Sequence, residues 1–242
     1  MSVNYGQTDF LRVSGARDDQ TFHPARINQL DQSEVQALIQ SNLVFAFVAG
    51  RPNQMPQLIS TTPIPLKALA IISPVINRAL SAHNRNSPGT INNIILPGAG
   101  IRAYQEFLLW VQDVIGAGKL VSLRDLTNKP LTCYSELVFI ANKLRITYLA
   151  AGMRRRVQNL LFCSAERRLS IHPGDVRDAA ATLPQGHWLI RMVVNAIAIA
   201  EKNAWLHPNF VARLQELYNE VPGLKEGVER RKAEMEQSVD TA

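Results

Sequence analysis

The chain has 242 residues, of which 46% are hydrophobic and 19% charged, and its formal net charge is +6. This composition provides enough apolar material for a core and excludes a disordered or coiled-coil protein, while the positive balance favours acidic partners only weakly. The two cysteines, Cys133 and Cys163, exclude a disulfide-stapled scaffold, and we expect reduced thiols in an intracellular protein of the nucleus or the cytoplasm.

The first part of the chain, residues 1–29, shows no sustained hydrophobic period, so we expect a flexible N-terminal arm. Its polar start lacks the hydrophobic run of a secretory signal peptide. Nowhere does the sequence approach the roughly 20 consecutive apolar residues that a membrane-spanning helix needs, so no membrane association is expected.

A short amphipathic helix and two strands are predicted next. Asp31 and Glu34 have the spacing of a capping box. The apolar stripe that follows at helical spacing is Val35, Leu38 and Ile39. Residues 43–50 are rich in β-branched and aromatic side chains and predict a buried strand, which residues 57–64 can join as a hairpin.

Helices and one further strand are predicted for the middle of the chain. Residues 65–84 predict two helices interrupted at Ser73-Pro74, because proline fits the first turn of a helix and not its interior. Residues 92–98 predict a strand, and residues 101–118 predict a helix that ends at glycines.

The second half of the chain is predicted to be helical. Residues 136–161 carry two apolar stripes at helical spacing, and Arg145 lies at the break between them. Beyond Pro173 the helical pattern continues to the end of the chain. The apolar run at residues 192–200 is too short to span a bilayer and is typical of a buried helix.

Two glycine-rich segments have a superficial likeness to nucleotide-binding loops. Residues 116–120, "GAGKL", lack the earlier glycine of a phosphate loop and have Leu120 where the magnesium-binding hydroxyl belongs. Residues 96–100, "LPGAG", lack the third glycine and the acidic residue of a dinucleotide fingerprint. We therefore interpret the first as a helix stop and the second as a strand-to-helix turn.

The remaining polar residues show no catalytic or metal-binding pattern. The five histidines lie far apart, without the short spacings that usually seed a zinc site: His23, His83, His172, His187 and His207. No strand–GxSxG–helix context is present for a serine nucleophile. We expect a non-enzymatic protein with no catalytic residues, no cofactor and no metal site.

The order of the predicted elements and three motifs resemble the BTB/POZ family. Residues 66–80, "LKALAIISPVINRAL", are similar to its central helix and the following "SP", and residues 94–118 are similar to its next strand and helix. The most specific match is the closing motif, formed by Glu136, Leu137, Ile140, Ala141, Asn142, Lys143, Leu144, Ile146 and Leu149. The resemblance implies an α+β fold, with a BTB/POZ-like core of short strands capped by helices over residues 30–164. The all-helical extension over residues 165–242 is similar to that of BTB proteins of filamentous fungi.

In that family the elements that match the first helix and residues 65–72 form a two-fold dimer interface, in which the same patch meets itself. The resemblance therefore implies a homodimeric protein–protein interaction module that acts as an adaptor or scaffold. Its interface would comprise Val35, Leu38, Ile39, Leu66, Leu69 and Ala70. The alternative is that these side chains pack beneath the C-terminal helices of the same chain.

Departures from the family bear on the partners that this chain can bind. Asn42 and Leu66 stand where the family has an aspartate and a histidine, so only Lys67 remains of the charged pocket used by corepressor-binding members. Residues 80–90 contain no acidic side chain, which argues against the alternative role of substrate adaptor for a cullin-type ubiquitin ligase.

Basic side chains are concentrated in residues 145–168, which hold six arginines and one glutamate. Successive residues on a helix are about 100° apart, so the triplet at 154–156 cannot share one narrow face, and we interpret it as the solvated side of a helix. The competing interpretation is a partner surface for an acidic peptide, or for nucleic acid in a nucleic-acid-associated regulatory factor. That surface would comprise Lys67, Arg145, Arg154, Arg155 and Arg156.

Overall fold

The computed structural model describes residues 10–13, 24–50, 54–86, 90–124, 129–163, 168–169, 172–184 and 186–237. The chain divides into two compact units. Unit 1 comprises Met1–Asp125 and Glu136–Gly152, and unit 2 comprises Leu126–Ser135 and Met153–Ala242. This division differs from the domain boundary expected after residue 164. The second part of unit 2 already begins at Met153, and unit 2 also includes the earlier segment Leu126–Ser135.

Five short strands of unit 1 form a mixed sheet. They are β1 (Phe10–Arg12), β2 (Leu43–Val48), β3 (Gln57–Leu58), β4 (Ile64–Pro65) and β5 (Asn93–Leu96). The strand order is β1-β5-β2-β3, and β4 also pairs with β2. β5 is parallel to both β1 and β2, whereas β3 and β4 are antiparallel to β2, which confirms the predicted hairpin.

Strand β1 corrects the expectation of a flexible arm for part of residues 1–29. Phe10–Arg12 lies along β5, and the backbone N–H of Val13 extends the pairing with a 3.1 Å hydrogen bond to the carbonyl of Ile95. The 3₁₀ helix Pro24–Gln29 is also ordered, and its Ile27 is buried. The other residues of the predicted arm lie outside the described residues.

Four helices complete the N-terminal part of unit 1. They are α1 (Gln32–Ile39), α2 (Leu66–Ile72), α3 (Pro74–Asn86) and α4 (Ile101–Ala117). The predicted capping box of α1 is confirmed, since Glu34 N–H donates to Asp31 Oδ1 at 2.8 Å and Asp31 N–H donates to Glu34 Oε2 at 2.9 Å. α2 contacts both α3 and α4, and α1 contacts α2 and α4.

The break between α2 and α3 falls at Ser73-Pro74, as predicted. The buried Ser73 hydroxyl accepts the N–H of Ile76 at 3.2 Å, which satisfies one of the free donors in the first turn of α3. The same hydroxyl donates to the carbonyl of Leu144 at 2.9 Å. Ser73 therefore ends α2 through its backbone N–H, which donates to the carbonyl of Leu69, while its side chain caps α3 and anchors the turn at Leu144.

Helix α4 is the main buried helix of unit 1. Its aromatic side chains Tyr104, Phe107 and Trp110 are almost fully buried, and the indole N–H of Trp110 donates to the carbonyl of Val121 at 2.9 Å. The helix ends at Gly118, whose φ of 60° is the left-handed conformation that glycine adopts without strain. The "GAGKL" segment is therefore a helix stop, as predicted.

Two helices follow, α5 (Leu131–Lys143) and α6 (Thr147–Leu161). Arg145 lies between them with a φ of 56°, an uncommon conformation for a residue with a side chain, and it reverses the chain where the two apolar stripes meet. Both helices are shared by the two units, because the unit boundaries fall at Ser135 in α5 and at Gly152 in α6.

Unit 2 contains the hairpin of β6 (Phe162–Cys163) and β7 (Arg168–Leu169), followed by α7 (Pro173–Thr182), α8 (Trp188–Lys202), α9 (Pro208–Glu220) and α10 (Leu224–Gln237). α8 is the buried helix of this unit and contacts both α7 and α10. The extension expected to be all-helical over residues 165–242 therefore also contains β7.

The fold combines helices with a small sheet, which agrees with the expected α+β class. Among the described residues, helical residues far outnumber strand residues, and the main sheet is confined to unit 1. Within the same residues, no helix combines the length and the hydropathy that crossing a bilayer requires.

Candidate functional site

Large apolar side chains are exposed on α1, β2 and β3 of unit 1. Ile39, the last residue of α1, is 40% exposed, and Leu43, the first residue of β2, is 50% exposed. Further along the sheet, Phe45 of β2 and Leu58 of β3 are each 41% exposed. We call these four residues the apolar surface.

Strand β2 explains half of this surface, because it is apolar on both faces. Val44, Ala46 and Val48 point inward and are buried, whereas Leu43 and Phe45 alternate with them and are exposed. A strand with one solvated face normally alternates apolar and polar residues. The run "LVFAFV" lacks this alternation and predicts a buried strand, and the exposure of Leu43 and Phe45 corrects that prediction for one face.

The predicted dimer interface is divided by the structure. On α1, Val35 and Leu38 are half-buried, and only Ile39 is exposed. Val35 lies against the end of α4, since a Cβ on Gly118 would approach its Cγ2 to 3.1 Å. The outer edge of α1 is thus available to a partner, while its inner side packs within unit 1.

The other half of the predicted dimer interface, on α2, is buried within unit 1, and this part of the prediction is wrong. Leu66, Leu69 and Ala70 are 4%, 0% and 7% exposed, and α2 packs against α1, α3, α4 and β4 of the same unit. Side chains that are already buried in the monomer have no area left to bury against a second copy. The apolar character of α2 is therefore explained by the core of unit 1.

The predicted basic surface is distributed over both units. Lys67 is exposed on α2 and Arg145 is half-buried in the turn before α6, both in unit 1. The triplet belongs to α6 within unit 2, where Arg154 and Arg155 are exposed and Arg156 is half-buried. Because two of the three arginines are exposed, the triplet fits the interpretation of a solvated helix side.

Arg154 nevertheless has a specific neighbour. Its guanidinium carbon lies 5.6 Å from the centre of the Trp188 ring, within the range of a cation–π interaction. Arg154 therefore links α6 to the first turn of α8. The side chains of Arg167 and Arg168, which the sequence places near this cluster, lie outside the described residues.

Three of the five histidines have a shared structural role that the sequence analysis missed. His172, His187 and His207 precede α7, α8 and α9, and the Nδ1 atom of each accepts the backbone N–H two residues later, at 3.1, 3.2 and 3.2 Å. Each ring thus satisfies one of the free donors at a helix start. The signal in the sequence was a proline directly after His172 and His207, since proline favours the first helical position.

The capping role also fixes the chemistry of a serine–histidine pair in unit 2. Ser135 Oγ lies 3.3 Å from His187 Nε2. Because Nδ1 of that ring accepts a backbone N–H, the neutral ring carries its proton on Nε2 and donates it to Ser135. A general base would need the opposite arrangement, with Nε2 accepting the serine proton.

His187 is also held in its neutral form. Burial lowers the pKa of His187 below its ordinary value, and the nearby Arg191 guanidinium lowers that pKa further. Among the described residues, no three side chains of His, Cys, Asp or Glu converge on a point that could hold a metal ion. Cys133 is buried, and the side chain of Cys163 lies outside the described residues.

Comparison of the chain with protein-family models, with curated proteins and with solved structures gave no match in any of the three.

Proposed function

We propose that the protein is a non-enzymatic protein–protein interaction module, which homodimerises through the apolar surface of unit 1 and acts as an adaptor or scaffold. The observation that carries this proposal is the exposure of Ile39, Leu43, Phe45 and Leu58, four large apolar side chains in one small unit. Exposed apolar area of this kind marks interaction sites when it is contiguous.

A second copy of the chain is the partner that fits these residues best. An isologous dimer brings the same patch together twice, so each apolar side chain contributes at two symmetric places. Burying a Leu, Ile or Phe side chain stabilises an association by about 1.5–3 kcal/mol when it is fully removed from water. The resemblance of residues 66–80 and 136–149 to the BTB/POZ family supports this choice, since homodimerisation is what that resemblance implies.

The test is the molar mass in solution, measured by light scattering across a dilution series at low and high salt. We expect a dimer of two 26.9 kDa chains whose dissociation does not increase with salt, because apolar contacts are not screened by ions. A monomer at all concentrations would contradict the proposal. A dimer that dissociates steeply as salt is raised would instead assign the association to charged side chains.

A further inference from the structure

The helices of unit 2 enclose a cavity of about 730 Å³. α8 lies between α7 and α10, and it contacts both of them. The turn from α9 to α10 contributes residues 220–224 to the lining of the cavity. Small-molecule sites have volumes of roughly 300–1,000 Å³, so this cavity has the size of a ligand site.

Apolar side chains form the floor and much of the walls of the cavity. Ile190 and Val194, one turn apart on α8, both line it and remain half-buried, so part of their apolar surface is still open to a ligand. Ala180 and Ala181 of α7 form one wall. Gly227 of α10 lies opposite, where even an added Cβ would only reach contact distance from Val194, at 3.5 Å. Alanine and glycine thus form part of the lining beside Ile190 and Val194.

Four arginines and three glutamates surround this apolar floor, and two of the arginines are already neutralised. Arg177 donates to the carboxylate of Glu220 through Nε at 2.8 Å. Arg231 donates to Asn195 Oδ1 at 2.7 Å and to Glu234 Oε2 at 2.8 Å. These pairs join α7 to α9 and α8 to α10, so they hold the walls of the cavity together.

The other charged side chains of the lining are not paired in this way. Within the described part of the chain, the side chains of Arg191 on α8, Arg230 on α10 and Glu226 form no hydrogen bond and no ion pair. All three side chains are exposed and line the cavity. These two guanidinium groups, one on α8 and one on α10, outnumber the one carboxylate. They therefore give the cavity a net positive charge that its own acidic side chains do not neutralise.

We propose that this cavity is a binding site for a small amphipathic acid, whose apolar body lies on Ile190 and Val194 and whose acidic group is held by Arg191 and Arg230. Guanidinium groups bind carboxylates and other oxyanions through short, charge-assisted hydrogen bonds. The site lies wholly in unit 2 and is independent of the proposed dimer surface in unit 1.

The test uses dodecanoate as the probe, titrated into the full-length protein by calorimetry at fixed ionic strength, below the concentration at which the probe forms micelles. Dodecyltrimethylammonium has the same alkyl chain with the opposite charge and serves as the matched probe. We expect one dodecanoate to bind per chain and the cationic probe to bind at least about tenfold more weakly, because it loses the charge-assisted bonds.

Variants then locate the site. The double variant Arg191→Glu and Arg230→Glu should weaken dodecanoate binding at least about tenfold, whereas Arg155→Glu with Arg213→Glu, which changes the net charge equally on exposed residues elsewhere in unit 2, should not. Ala181→Phe should also weaken binding, because the ring occupies the cavity. If the charge-reversed variant does not fold, Arg191→Gln with Arg230→Gln is the milder replacement. Melting curves measured without ligand establish whether each variant folds.

Three results would each overturn the proposal: no saturable binding of dodecanoate, equal loss in the two double variants, or equally tight binding of the cationic probe.

Discussion

The carboxylate of Glu136 lies at the start of helix α4 and accepts the backbone N–H of Gly100. The approach is so close that a methyl group on residue 100 would overlap the carboxylate. Gly100 is the N-cap of α4. Because glycine has no side chain, it offers no oxygen to the free N–H groups of the first turn. Glu136, which arrives from α5, satisfies one of these donors, the N–H of the cap residue itself.

Gly100→Ala should destabilise the protein, because the added methyl group displaces the carboxylate and breaks this hydrogen bond. The expected loss in the free energy of unfolding is about 1.5–3 kcal/mol, the contribution of a hydrogen bond to a charged group. Chemical denaturation measures it. Gly116→Ala is the matched control, since an added Cβ there meets nothing within 4 Å. Equal stability of the two variants would show that the contact with Glu136 is dispensable.

Glu136→Gln tests the charge of the same group. Burial raises the pKa of the Glu136 carboxyl group, and the hydrogen bond from Gly100 only partly opposes this. A carboxyl group whose pKa is higher in the folded state stabilises that state at low pH and loses this contribution as pH rises through the folded pKa. The glutamine variant keeps an acceptor oxygen without the charge. Its stability relative to wild type should therefore rise between pH 3.5 and pH 7, and a constant difference would contradict the assignment.

Leu43→Asp should dissociate the proposed dimer without unfolding the chain. The substitution replaces an apolar side chain at two symmetric places, and two losses of about 1.5 kcal/mol or more weaken the association by roughly 100-fold. Sedimentation or light scattering measures the change. Val211→Asp is the matched control, since Val211 is a similarly exposed aliphatic residue, 52% accessible, in unit 2. Dissociation by both variants would remove the apolar surface as the explanation.

Two arginines of the triplet, Arg154 and Arg155, should differ in how much they contribute to stability. Arg154→Gln removes the cation–π contact with Trp188 and should cost about 0.5–1 kcal/mol of stability. Arg155→Gln should change stability by less than about 0.5 kcal/mol, as expected for an exposed side chain. Denaturation followed by tryptophan fluorescence compares them. Large losses in both would show that α6 relies on its charged side.

The stability of the protein should fall at mildly acidic pH through His187. Its pKa is lowered in the folded state, so the unfolded chain binds the proton more readily. The contribution of the neutral ring is fully present above the unfolded value of about 6.5 and is lost as pH falls from there towards the lower folded pKa. His187→Asn keeps a capping acceptor and removes the titration. The variant should lose less stability than wild type between pH 7.5 and pH 5, and identical losses would contradict the prediction.

Local elements of this fold could be predicted from the sequence, because neighbouring residues determine them. The capping box of Asp31 and Glu34, the break at Ser73-Pro74 and the helix stop at Gly118 all lie where the sequence predicts them. Each depends on contacts or conformations within a few residues. Propensity and spacing are sufficient for such features.

Features that depend on distant contacts could not be predicted in the same way. The apolar stripe of α2 gave no indication that Leu66 and Leu69 are buried by neighbouring helices and not by a second copy, because both arrangements require apolar residues. The exposure of Leu43 and Phe45 depends on which sheet face the helices cover. The cavity in unit 2 arises from the packing of three helices and leaves no periodic signal in any one of them.

The pairing of β1 with β5 has a practical consequence for anyone who shortens the chain. In the strand order β1-β5-β2-β3, β1 covers the outer side of β5, and without it β5 becomes an edge strand with unpaired backbone groups. Its sequence, "NIIL", is short, apolar and uncharged, and an exposed edge of that kind templates aggregation. An expression boundary placed at residue 30, where the amphipathic pattern begins, would therefore favour insoluble protein, whereas one placed before residue 10 would keep the edge of the sheet protected.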